Sequence, residues 1–88
     1  MIDLPIDGTL DLHTFKPSEA KELVEDYIKI CRKKGILNLR IIHGKGRGTL
    51  ANIVHGVLDK LDEVQHYHLG GIDSGGWGAT LVRLKPDS

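Results

Sequence analysis

From Pro17 to Gly35 the apolar residues Ala20, Leu23, Val24, Tyr27, Ile28 and Cys31 recur at the i, i+3, i+4, i+7 spacing of one helix face. Pro17 suits the first helical turn and Gly35 a C-cap. Glu19 and Glu22 lie near the positive end of the helix dipole, and Lys29, Arg32, Lys33 and Lys34 near its negative end. Directly behind this stripe comes Ile36 to Ile42, an apolar run too short for a helix and bounded by Gly35 and Gly44. It reads as a well-buried parallel strand. A helix feeding such a strand, after a strand of its own, commits the chain to a sheet with crossover connections.

That earlier strand is expected from about Thr9 to His13, where Leu10 and Leu12 alternate with Thr9, Asp11 and His13; an arm over residues 1–8 carries Pro5 and the turn signal Asp7-Gly8. A second helix is expected from about Thr49 to Leu61 on the stripe Leu50, Ile53, Val54, Val57, Leu58 and Leu61. His55 falls beside that stripe and reads as a solvated residue. Val64 to Leu69 and Ala79 to Leu84 complete the set as strands, joined by the glycine-rich residues 70–76, which read as a mobile hairpin loop. The order is βαβαββ. Two right-handed crossovers in one direction put both helices on one sheet face, giving an α/β chain, an α+β two-layer sandwich, with the other face open. At 88 residues, 40% of them hydrophobic, it makes a single domain with a core over about residues 9–84.

The chemistry sits in two short runs. His43-Gly44-Lys45-Gly46-Arg47-Gly48 alternates glycine with basic or imidazole side chains just after a strand and before a helix. Glycine admits close approach to backbone amides, and Lys45 and Arg47 add positive charge, so the run reads as a grip for phosphate. In Leu10-Asp11-Leu12-His13 an acid and an imidazole stand two residues apart at a strand end. Because His13 and His43 both end parallel strands, Asp11, His13, His43 and the glycine-basic run are expected at one rim of the sheet. Arg40 and Arg83 would extend that site over the open face, and Trp77 offers a plane on which a base can stack. His66 and His68 lie two apart on one strand without a third ligand nearby in sequence, so no metal site is expected there. Neither a Walker nor a Rossmann glycine pattern occurs, which disfavours a nucleotide cofactor.

The 12 basic and 12 acidic residues cancel, so bulk charge selects no partner. Local charge is uneven: Lys29, Arg32, Lys33, Lys34, Arg40, Lys45 and Arg47 follow one another with no acid between, whereas Asp3, Asp7 and Asp11 lie upstream. Cys31, the lone cysteine, belongs to a helix stripe and reads as a core residue; it fits a reducing, cytoplasmic setting. No signal peptide or membrane segment is expected at the start of the chain.

Taken together, Leu10-Asp11-Leu12-His13, His43-Gly44-Lys45-Gly46-Arg47-Gly48 and Gly75-Gly76-Trp77-Gly78-Ala79-Thr80 with Val82 and Leu84 resemble the Smr (small MutS-related) domain over about Thr9 to Leu84. The resemblance implies a two-layer sandwich like the C-terminal domain of a bacterial translation initiation factor, with sheet order 1-2-4-3 and an antiparallel last strand. It also implies nucleic-acid binding and, as in several members, endonuclease action that nicks DNA or cleaves RNA, sometimes on ribosomes. The functional positions it implies are Asp11, His13, His43, Gly44, Lys45, Gly46 and Gly48. Many members carry glycine after the motif histidine, where this chain has Thr14 and Phe15. Such domains are often appended to a MutS-like ATPase or an RNA-binding module; this chain looks like a stand-alone, bacterial-type member.

On this reading His13 is a general base or acid, Asp11 orients it or holds a cation, and His43 is a reserve proton donor. RNA can be attacked by its own 2′-hydroxyl with no metal, whereas cutting DNA requires an activated water and favours Mg²⁺ or Mn²⁺ through Asp11. The alternatives are a non-catalytic DNA- or RNA-binding module and a protein-interaction domain whose basic patch docks an acidic partner.

Overall fold

The computed structural model describes residues 5–44, 48–70 and 78–86. Its elements run β1 (Thr9–Asp11), α1 (Pro17–Lys33), β2 (Asn38–Ile42), α2 (Thr49–Lys60), β3 (Val64–Leu69) and β4 (Ala79–Leu84). The βαβαββ order of the sequence is thus the order of the fold, with β1 and β2 shorter at their ends than expected. Lys45, Gly46, Arg47 and Trp77, and most of the glycine-rich connector, lie outside the described residues.

Helix α1 starts where its sequence predicts. Pro17 fills the first turn, which needs no N–H donor there, and the Glu19 carboxylate accepts the Lys16 backbone N–H at 3.0 Å. It ends in a Schellman arrangement. Gly35 adopts φ +79°, its N–H reaches the Arg32 carbonyl at 3.1 Å, and the Ile36 N–H reaches Cys31 at 2.9 Å. A side chain at Gly35 would be strained in that conformation.

The sheet order is β1-β2-β4-β3. β1 and β2 are parallel (Thr9 opposite Arg40, Asp11 opposite Ile42), while β4 is antiparallel to both β2 and β3. Leu10, Leu12, Leu39, Ile41, Val82 and Leu84 point inward and close over Ala20, Val24, Tyr27, Ile28, Cys31, Val54, Val57 and Leu58 from the helices. Burying these side chains is the main stabilising term. Cys31 is a fully buried free thiol, as its place on the stripe predicts, and burial pushes its pKa up.

β2 departs from the expected well-buried strand. Leu39 and Ile41 are buried but Asn38 and Arg40 are exposed, because both helices cover one face and the antiparallel β4 replaces a further parallel neighbour. Among the described residues Tyr27 is the largest fully buried side chain, and it carries a polar hydroxyl into the core. Its hydroxyl accepts the Gly8 N–H at 3.0 Å and donates to the Thr9 carbonyl at 3.1 Å, tying the start of β1 to α1; burial pushes its pKa up to about 12. No helix among the described residues is long and apolar enough to cross a membrane.

Candidate functional site

Parallel pairing of β1 and β2 brings their carboxyl ends to one rim. The Leu12 N–H donates to the Ile42 carbonyl at 2.7 Å, so the segment carrying His13 leaves the sheet beside the segment carrying His43 and Gly44. α2 begins at that rim too. Gly48 is its N-cap at φ +79°, a backbone state that suits glycine, and among the described residues no side chain caps the first-turn amides.

At the end of β1 the chain bends through a turn in which the Phe15 N–H donates to the Leu12 carbonyl at 2.9 Å, with His13 and Thr14 at its two central positions. No non-glycine residue among those described has positive φ, so Thr14 fits this bend without strain. The Asp11 carboxylate oxygen Oδ1 accepts the His13 backbone N–H at 3.0 Å and lies 2.5 Å from Nδ1 of the same imidazole. Asp11 therefore closes the turn and orients the ring in one act. These two bonds, backbone first, hold its carboxyl below the usual 3.8. Since a carboxylate only accepts, Nδ1 carries a proton, and it is Nε2 that holds the lone pair in the neutral ring. His13 is 64% and Asp11 45% exposed, so that lone pair is open to an incoming group.

His43 is different: it is only 5% exposed. Nδ1 lies 3.1 Å from the Gly44 carbonyl and Nε2 lies 2.8 Å from Thr80 Oγ1, while Thr80 Oγ1 is also 2.8 Å from Nε2 of His55. One proton arrangement satisfies all three contacts in neutral rings. Nδ1–H of His43 donates to Gly44, the Thr80 hydroxyl donates to Nε2 of His43, and Nε2–H of His55 donates to Thr80. His55 then stacks on Tyr67 at 5.0 Å, and the Tyr67 hydroxyl donates to Asp59 at 2.6 Å.

His55 is thus half-buried and bonded, not the solvated residue its helix position suggests. Desolvation, reinforced by nearby His43, lowers its pKa below 6.5. The missed signal was Thr80, a polar residue at an inward position of β4 between the buried Ala79 and Val82. A buried hydroxyl there requires partners.

The backbone at Gly44 also faces inward. The amides of His43 and Gly44 both donate to the Gly78 carbonyl, at 2.8 and 2.9 Å, pinning the end of β2 to the start of β4. The Gly44 N–H, expected to meet a phosphate, is engaged by the protein itself.

The remaining basic residues divide in space. Arg40 and Arg83 lie on the open face, where a guanidinium NH₂ group (Nη1) of Arg83 donates to Asn38 Oδ1 at 3.1 Å. Lys29, Arg32, Lys33 and Lys34 belong to the last turns of α1, which join β2 at the edge opposite the rim. Arg32 there donates to the Lys85 carbonyl at 2.9 Å and the Pro86 carbonyl at 3.2 Å. The basic run of the sequence is therefore not one patch. Among the described residues no group of three or more His, Cys, Asp or Glu side chains is placed to hold a metal.

The model of the Smr domain family matches residues 10–85. The chain belongs to the Smr domain family. It is 36% identical over 80 residues to the "Endonuclease MutS2" of Halothermothrix orenii, covering 91% of this chain and 10% of that protein. To the protein of the same name from Symbiobacterium thermophilum it is 37% identical over 76 residues, again 10% of that protein. The chain thus spans about a tenth of the length of these relatives. The crystal structure of the Smr domain of Thermus thermophilus MutS2 superposes with a TM-score of 0.85 at 30% identity, covering 91% of this chain and all of that one. YdaL, a stand-alone small MutS-related protein from Escherichia coli, superposes at 0.77 with 34% identity, covering 92% of this chain and 66% of that one. The Smr fold, with its mixed four-stranded sheet and two helices, is the one described above.

Proposed function

We propose that this Smr domain binds nucleic acid at the rim where β1 and β2 end, and cleaves RNA there by transesterification with His13 as general base. The observation that carries this reading is the Asp11–His13 pair: a carboxylate holds Nδ1 and leaves the Nε2 lone pair facing solvent. Nε2 takes the proton of a 2′-hydroxyl. The freed oxygen attacks the adjacent phosphorus, the bond to the 5′-oxygen breaks, and that oxygen takes a proton from solvent, leaving a cyclic phosphate. Lys45, Gly46 and Arg47, with Gly48 and the uncapped first turn of α2, would stabilise the charge gathering on the phosphorus oxygens. The relative from Halothermothrix orenii bears the name "Endonuclease MutS2", which agrees with this chemistry.

His43 enters this proposal as a positioning residue and not as the reserve proton donor, because it is buried with both ring nitrogens engaged. DNA nicking through Mg²⁺ or Mn²⁺ is less favoured: Asp11 Oδ1 already holds two His13 contacts, and among the described residues Asp11 belongs to no group of three or more potential metal-ligating side chains. The binding-only reading gains support from the same burial of His43, which leaves His13 as the one exposed imidazole of the rim among the described residues.

The test is a cleavage assay on structured RNA and supercoiled plasmid, with and without EDTA, comparing the wild type with Asp11→Ala, His13→Ala and Lys45→Ala. The proposal expects EDTA-resistant RNA cleavage with cyclic-phosphate ends, lost in His13→Ala. Cleavage abolished by EDTA, or equal in all four proteins, would contradict it. RNA binding without cleavage would support the binding module.

A further inference from the structure

The sheet face away from the helices carries planar and cationic side chains in register. Taking the strands in order β1-β2-β4-β3, one row reads Thr9, Arg40, Leu81, His68 and the row below it reads Asn38, Arg83, His66, with Asp11 at the rim above. Arg40, His66 and His68 are exposed, and Arg83 is partly so. Asn38 and Arg83 join two strands at 3.1 Å, which steadies the guanidinium plane. His68 is steadied likewise, its Nδ1 lying 3.0 Å from the Leu69 carbonyl. Asn38, His66, His68, Leu81 and Arg83 line a shallow depression of ≈ 210 Å³. Asp11 is the one acidic residue of these rows, and it stands at the rim.

We infer that this face docks single-stranded nucleic acid, with His66 and His68 as stacking platforms for unpaired bases and Arg40 and Arg83 meeting the backbone. The inference rests on the nucleic-acid reading above and extends it from the rim across the sheet. Three strand spacings separate β1 from β3, about 14 Å, room for the two or three bases that a comparable four-stranded sheet stacks. Flat side chains on an open, gently twisted surface suit splayed bases, whose faces a duplex conceals. Charge complementarity selects a polyanion, and the imidazole planes beside Leu81 select one with aromatic faces.

The experiment is fluorescence anisotropy with short labelled single-stranded RNA, single-stranded DNA and duplex DNA of one sequence, alongside competition by heparin. The wild type is expected to bind single strands more tightly than duplex, and RNA against DNA reports whether the 2′-hydroxyl matters. His66→Ala/His68→Ala should weaken single-strand binding by about 30-fold or more, while His66→Phe/His68→Phe restores it. Lys21→Ala/Lys60→Ala, which removes the same number of exposed side chains from the helix layer, should leave it unchanged. Circular dichroism confirms that each variant folds. Unchanged binding by the alanine pair, a preference for duplex, or competition by heparin as strong as by the oligonucleotide overturns the inference while leaving the rim reading intact; no binding to any nucleic acid overturns both.

Discussion

Replacing Thr80 with valine keeps the shape of the side chain and deletes one oxygen. That oxygen is fully buried and lies 2.8 Å from Nε2 of both His43 and His55. Without it, Nε2 of His43 stays buried with no partner, which costs about 1–3 kcal/mol, and the lost bond to half-exposed His55 adds about 0.5–1 kcal/mol because water replaces part of it. The added methyl returns about 0.8 kcal/mol. The net is about 1–3 kcal/mol of destabilisation, or a fall in Tm of roughly 4–24 °C for a domain this size. Thr80→Ser keeps the hydroxyl and loses only a methyl, about 1 kcal/mol. Urea denaturation followed by circular dichroism measures both. Nitrogen chemical shifts of the His43 ring should also move in Thr80→Val and not in Thr80→Ser, since only the first removes the proton given to Nε2. A valine variant as stable as wild type, with an unchanged His43 ring, would refute the hydrogen-bonded chain.

His13→Ala should lower RNA cleavage by about 10²-fold or more without lowering Tm, because the ring is largely exposed; Asp11→Asn should act in the same direction, because a neutral amide oxygen holds Nδ1–H less strongly than the carboxylate. His55 carries a pKa below its ordinary 6.5 in the fold, so the unfolded chain binds more protons between the two values. Its stabilising effect is complete above about pH 6.5 and falls as pH drops toward the lowered value; His55→Gln should show a smaller loss of stability than wild type over that window in urea titrations. Tyr27→Phe removes the hydroxyl that accepts from Gly8 and donates to Thr9, and should cost about 1–2 kcal/mol in the same assay.

The elements were legible because each has its own period and its own ends. Pro17 and Gly35 bracket α1, and Gly48 and the stripe from Leu50 to Leu58 define α2. The rim was legible too, since parallel strands must finish together and Asp11, His13 and His43 end two of them. What could not be read was the depth of each side chain. His13 and His43 occupy equivalent strand ends, yet one leaves on an exposed turn and the other folds back under β4, a difference set by the partner hydroxyl of Thr80, 37 residues away from His43 in the chain. His55 was misplaced for the same reason. Helical spacing ranks a residue against its own stripe and says nothing of a threonine on a strand beneath it. The basic run failed differently: Lys29 to Lys34 stay with the helix layer while Arg40 faces the open side of the sheet, once the chain reverses at Gly35.

The central claim is that nucleic acid meets the Asp11–His13 rim and the open face, not the helix layer. Backbone amide shifts of the labelled protein, followed while a single-stranded oligonucleotide with a blocked 2′-oxygen is added, test it most directly. The account predicts shifts concentrated at Asp11, His13, Gly48 and Thr49 and continuing through Arg40, Leu81 and His68. Shifts confined to Lys21, Glu25, Asn52, Gly56 and Lys60, which line the groove between α1 and α2, would contradict it.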